Sequence, residues 1–182
     1  MRQQSTGHVV RAASVAVVLV MVAAAMGGTQ GAAAAERTKS VAIGLGAGYR
    51  PPEFSAEDLS GTVQSLGDHT GNVVVLHFWA TWCPYCRGEI GELTQLHMEW
   101  ASKGVRVITI STDQDAGKLK QFLAKSPVPY PVIHDPSIAD QYAISGIPVT
   151  YVIGRDGRIV QRLDGASDII AAVTRALETP AA

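Results

Sequence analysis

Cysteine is scarce in this chain: 182 residues contain two, Cys83 and Cys86. Two cysteines supply only half of a four-ligand structural zinc site, with no second pair, and cannot build the multi-bridge framework of a small secreted scaffold. Basic charge is not in excess either. Fifteen Lys and Arg against sixteen Asp and Glu give a formal net charge of −1, with no basic stripe for nucleic acid and no polybasic membrane patch. No tandem repeat occurs at periods of roughly 20 to 50 residues, and no heptad run argues for assembly, so a monomer is expected. The longest apolar stretch, Ala12 to Met26, holds about 15 residues, short of the roughly 20 that span a bilayer.

That stretch has neighbours that explain it. Arg2 and Arg11 lie before its core, and Ala33-Ala34-Ala35 ahead of Glu36-Arg37 closes it. Positive, apolar and small-residue regions in that order read as a secretory signal, with cleavage expected after Ala35 and an uncleaved membrane anchor as the alternative. Export to the periplasm or another extracytoplasmic space would make a disulfide chemically permitted. Residues 36–50, with Gly44, Gly46 and Gly48, read as a flexible lead. Residues 51–182 then form one domain with one sizeable core.

The two cysteines sit between a strand pattern and a helix pattern. Val73 to Ala80 is short, continuously apolar and β-branched at its start, as in a buried parallel strand. Ile90, Leu93, Leu96 and Trp100 follow at helical spacing. Cys83 therefore takes the N-cap, Pro84 the first helical position, and Cys86 lies one turn in. The unpaired N–H groups and partial positive charge of a helix start stabilise a thiolate, lowering a thiol pKa from about 8.5 into the range of roughly 3.5 to 7.5. Cys83 is the expected exposed nucleophile and Cys86 the shielded thiol that resolves a mixed disulfide. A purely structural bridge is the bland alternative, but closing so short a loop constrains the unfolded chain little.

Around this centre the sequence predicts a loose hairpin over Phe54 to Leu66, turning at Ser60-Gly61. The helix of the cysteine pair should run from Pro84 to about Ser102 and stop at Gly104, with Glu92 facing solvent. A second parallel strand covers Val105 to Ser111, and an amphipathic helix Asp113 to Lys125. After the prolines 127, 129 and 131 come a short strand at Val132-Ile133 and a helix from Asp135 ended by Gly146. A strand at Pro148 to Ile153 then turns at Asp156-Gly157 into an antiparallel return, and Ser167 caps a final helix. The sum is an α/β fold: a central mixed sheet with helices on both faces, an N-terminal β-hairpin and a central αβ insertion.

Phe78 to Cys86, Gly146 to Tyr151 and the Arg155-Asp156-Gly157-Arg158-Ile159 hairpin resemble the thioredoxin superfamily, and within it the TlpA/ResA-like thiol-disulfide oxidoreductases. The resemblance covers roughly residues 50–178, and the branch's insertion would fall at about 115–134. It implies a thioredoxin-like fold without cofactor or bound metal, and a disulfide reductase acting on protein disulfides. A membrane thiol–disulfide carrier would be the reductant; apocytochrome c and copper-site assembly proteins are substrates the family suggests. Pro148 would be a cis proline facing the disulfide. Ile147 would offer its backbone to substrate, with Trp82, Pro84 and Tyr85 around it. Glu89 matches an acid that this branch places near the pair, where it would assist proton transfer. His77 occupies the position of the buried acid of thioredoxins; it would relay the proton of Cys86 or, if charged, make the pair more oxidising. Gly91 and Val149 depart from the usual Pro and Thr.

Three other functions fit parts of the pattern. A thiol oxidase would need only a higher potential at the same pair. A Sco-like copper chaperone would use Cys83, Cys86 and His134 as soft-metal ligands. A peroxidase of the peroxiredoxin type would want Thr three residues before its cysteine, and Thr81 is two before Cys83.

Overall fold

The computed structural model describes residues 42–179; the expected signal segment and the first part of the lead lie outside them. Eleven elements follow in order: β1 (Ser55–Glu57), β2 (Val63–Ser65), β3 (Val73–Trp79), α1 (Pro84–Trp100), β4 (Val105–Ser111), α2 (Ala116–Lys125), β5 (Val132–Ile133), α3 (Pro136–Gln141), β6 (Val149–Ile153), β7 (Ile159–Asp164) and α4 (Ile169–Glu178). Among the described residues no helix is long and apolar enough to cross a membrane.

β1 and β2 form the antiparallel hairpin, and the other five strands form one sheet in the order β5-β4-β3-β6-β7. β3, apolar but for His77 and buried at every position, is central because only a strand covered on both faces tolerates that composition. It pairs in parallel with β4 from Val73↔Val105 to Trp79↔Ser111, and antiparallel with β6 from Val74↔Ile153 to Phe78↔Val149. The end of β3, the end of β4 and the start of β6 therefore meet at one edge, where the cysteine turn emerges.

Alternation along β3 divides the core. Val73, Val75 and Trp79 pack with Leu93 and Leu96 of α1, Leu119 of α2, and Ile169, Ala172 and Val173 of α4. Val74, Leu76 and Phe78 face the other way, onto Phe54, Ile138 of α3, Tyr142 just past it, and Tyr151. The Phe78, Tyr142 and Tyr151 rings lie within 5.2 to 6.2 Å of one another, and the Tyr142 hydroxyl is satisfied by donating to the Pro52 carbonyl. His77 has the parity of the α1/α4 face.

Several boundaries differ from those the sequence predicts. α1 ends at Trp100 and passes through a 3-10 turn, Ala101–Lys103, before Gly104 takes the left-handed conformation at φ 81°. α2 begins at Ala116 because Asp115, not Asp113, caps it by accepting from the Gly117 and Lys118 N–H groups. α3 ends at Gln141 rather than at Gly146, and Ala143 just past it adopts φ 48°. α4 is capped by Asp168, whose side chain accepts from Ala171 N–H; the Ser167 N–H is taken by Glu89 instead. Part of the expected lead is tied down: Gly44 and Arg50 are hydrogen-bonded, and Gly48 and Tyr49 bond both backbone groups of Ile159. Gly88 and Gly91 lie in unbroken helix with open space where a Cβ would stand; nothing in the structure explains them.

Candidate active site

Local chemistry puts the pair where it is. β3 ends at Trp79, the chain turns through Ala80-Thr81-Trp82, and Cys83 becomes the N-cap of α1 with Pro84 at the first position. Pro has no N–H to satisfy and its fixed φ suits a helix start. Cys83 and Cys86 are joined by a disulfide with Cα atoms 5.3 Å apart. Cys83 Sγ accepts the Cys86 backbone N–H at 3.2 Å, so a thiolate formed there inherits a donor that the helix would otherwise leave unpaired.

In this oxidised state Cys83 is not the open group expected of it: it is 3% exposed. The reason is its neighbour across the turn. Its sulfur lies 4.0 Å from the Ile147 carbonyl oxygen, and the Ile147–Pro148 peptide, which is cis, starts the chain into β6. Trp82 and Tyr85 flank the pair at 67% and 68% exposure, two of the few large apolar side chains left in water. Pro84 stands between them at the helix start. This rim of aromatic faces beside the Ile147 backbone is what an extended polypeptide can lie against.

Behind the pair is a buried polar cluster. His77 Nδ1 is 2.9 Å from Thr150 Oγ1, a contact set by the β3–β6 register His77↔Thr150. His77 Nε2 lies 3.8 Å from Glu89 Oε2, and neither atom has a hydrogen-bond partner. Burial holds the imidazole neutral, its pKa lowered to about 3. Burial also pushes the Glu89 carboxyl up to about 6, opposed by the Ser167 N–H that donates to Oε1 and reinforced by nearby Glu92. Glu92 is not solvent-facing as predicted: its Oε1 accepts the Ile170 N–H at 2.8 Å. Two carboxylates of α1 thus hold the N-terminus of α4, where the helix dipole favours them. Gly165 N–H donates to the Pro148 carbonyl, so the same loop reaches both Glu89 and the proline.

Asp113, placed by the sequence pattern at a helix start, belongs to this site. Its buried carboxylate accepts from Thr81 N–H (2.9 Å), Thr81 Oγ1 (2.6 Å) and Ser111 Oγ (2.9 Å). Trp79 O accepts from Thr112 N–H and Oγ1. The turn that delivers Cys83 is thereby fixed to the end of β4. The only sequence signal was a Ser-Thr-Asp run just past a buried strand, a place where side chains commonly bond to local backbone.

The Thr81 hydroxyl is committed to Asp113. His134 Nε2 sits 2.6 Å from the Asp113 carbonyl, and among the described residues no three or more His, Cys, Asp or Glu are grouped to hold a metal ion.

Comparison with known proteins gives a consistent picture. The AhpC/TSA family profile matches residues 47–162. A thiol-disulfide oxidoreductase ResA of Bacillus cereus is 31% identical over 120 residues, 65% of this chain and 69% of that one. The protein of the same name from Geobacillus thermodenitrificans is 26% identical over 151 residues, 82% of this chain and 84% of its own. Among solved structures, a thiol:disulfide interchange protein of Chlorobium tepidum assigned as DsbE superposes with a TM-score of 0.68 at 30% identity, over 74% of this chain and 99% of that one.

Proposed function

The chain belongs to the AhpC/TSA family and is a thiol-disulfide oxidoreductase of the ResA/DsbE type; from that premise we propose that it is exported and reduces protein disulfides through Cys83 and Cys86. The observation that carries this reading is the Cys83 sulfur at the N-cap of α1, accepting the Cys86 N–H beside the Ile147 carbonyl. A sulfur so placed is a stabilised thiolate when reduced and adjoins a backbone ledge for substrate.

In the reaction, Cys83 thiolate attacks one sulfur of a substrate disulfide, forming a mixed disulfide and expelling the other substrate sulfur as thiolate. Cys86 then loses its proton and attacks Cys83 Sγ. The second substrate thiolate leaves, and two electrons have passed from the dithiol to the substrate. Cys86 is out of reach of bulk water, so its proton needs an internal acceptor. Glu89, with a pKa near 6, is matched to that task at neutral pH, and neutral His77 completes its surroundings. A membrane-embedded dithiol carrier returns the electrons. The Ala12 to Met26 segment supports export, through a cleaved signal or an N-terminal anchor. Haem-attachment and copper-site apoproteins, both presenting cysteine pairs, are the substrate classes to test first.

The test is a trap. Cys86→Ser should accumulate a mixed disulfide through Cys83 with a disulfide-bearing peptide, released by dithiothreitol, while Cys83→Ser accumulates none. Equal trapping by both variants would overturn the assignment of roles.

A further inference from the structure

His77 and Thr150 are buried side by side, and the Thr150 hydroxyl has a single hydrogen-bonding neighbour among the described residues, His77 Nδ1. A hydroxyl carries one hydrogen, and a neutral imidazole one N–H and one lone pair. If Nδ1 carried the hydrogen, the hydroxyl proton would have no acceptor, and the Nε2 lone pair would face the Glu89 oxygen at 3.8 Å. If the hydroxyl donates to Nδ1, the ring hydrogen is on Nε2 and points at the carboxylate. Only the second arrangement gives the Thr150 hydroxyl hydrogen an acceptor and turns an N–H, rather than a lone pair, toward the ionised Glu89 oxygen 3.8 Å away.

We propose that Thr150 is a positioning residue of the proton path: its hydroxyl sets the tautomer of His77, which aims Nε2–H at Glu89 and holds that carboxylate ready to accept the proton of Cys86. The inference rests on the reading of Glu89 as that acceptor. A hydroxyl suits the role because it both donates and accepts. When Glu89 takes up a proton, its unprotonated oxygen can keep facing Nε2–H, so no ring hydrogen has to move. His77 stays neutral throughout, as its burial requires.

The other groups around the pair do not supply this control. Thr109, the β4 neighbour of His77, is uncharged and bonds Pro131 O. On α1, Cys86 is in the disulfide, and Glu92 disfavours the Glu89 charge while bonding Ile170 N–H. At α4, Asp168 is engaged with Ala171 N–H, and Asp164 before it is paired with Arg162. No lysine or arginine contributes to the titration of either member.

The experiment is nitrogen-15 NMR of the histidine rings in the oxidised full chain, with carbon-13 detection of the Glu89 carboxyl, across pH 4 to 8. The wild-type His77 ring should be Nε2–H at pH 7.5. Thr150→Val should populate the Nδ1–H form and raise the Glu89 midpoint by about one pH unit, a tenfold loss of carboxylate at fixed pH. Thr150→Ser should restore both. A wild-type ring in the Nδ1–H form, a readout that needs no variant, overturns the proposal, as does a Thr150→Val protein with tautomer and midpoint unchanged. Resolution of a preformed mixed disulfide by Glu89→Gln separates the premise: a tenfold or greater slowing supports it. A wild-type rate removes Glu89 as acceptor, and with it the purpose assigned to Thr150, whatever the tautomer.

Discussion

Replacing Glu89 by Gln removes one ionisation from the core, so its effect on stability must change with pH. Burial raises the carboxyl from an ordinary 4.5 to about 6 in the folded protein. Below the lower value both states are protonated and the ionisation contributes nothing. Between the two, the unfolded chain releases a proton that the folded chain keeps, and stability falls by about 1.4 kcal/mol per pH unit. Above pH 6 the folded protein is ionised too, and wild type has lost about 2 kcal/mol relative to its acid value through this group. Gln does not titrate, keeps an oxygen for the Ser167 N–H and places an amide against His77. Urea unfolding of the oxidised proteins at pH 4 and pH 7.5 measures the difference, and every other titrating group cancels between the two. The variant should gain about 2 kcal/mol on wild type between those pH values while resolving mixed disulfides more slowly. A difference that is the same at both pH values would refute the argument that burial raises the titration of Glu89.

Asp113→Ala leaves the Thr81 N–H, Thr81 hydroxyl and Ser111 hydroxyl without their acceptor; it should cost about 3 kcal/mol in urea unfolding, and a cost below about 1 kcal/mol would mean the turn is held by other contacts. Ala143 is exposed and left-handed at φ 48°, so Ala143→Gly should raise stability by roughly 0.5 to 1 kcal/mol through relief of Cβ crowding; a loss would show that the strain is absent.

Much of this architecture is legible because its signals are local. A continuous apolar run, two cysteines, a proline at the first helical position and apolar residues at helical spacing specify strand, turn and helix without tertiary information. The Asp-Gly turn after β6 and the Asp135-Pro136 helix start are of the same kind. What the sequence hides is set by register and competition. His77 meets Thr150 only because β6 runs antiparallel to β3 with one particular alignment, and the alignment is not written in either strand. Asp113 and Asp115 are equally good helix caps by composition; the first is taken by Thr81, so the second caps α2. Ser167 does not cap α4: its hydroxyl donates to the Gly165 carbonyl, its N–H to Glu89, and the Asp168 carboxylate accepts the Ala171 N–H. Glu92 looks like a solvent-facing helix residue until α4 is docked beside it. The opening expected at Cys83 fails for a similar reason: the Ile147–Pro148 segment, 64 residues away in sequence, covers the oxidised sulfur.

The reductase reading is tested most directly by the midpoint potential of the Cys83–Cys86 couple, equilibrated with glutathione or dithiothreitol buffers at pH 7. A value near or below about −250 mV, close to that of thioredoxin, is the expected result. A value near about −120 mV, characteristic of strong thiol oxidants, would contradict it and assign the pair to disulfide formation instead.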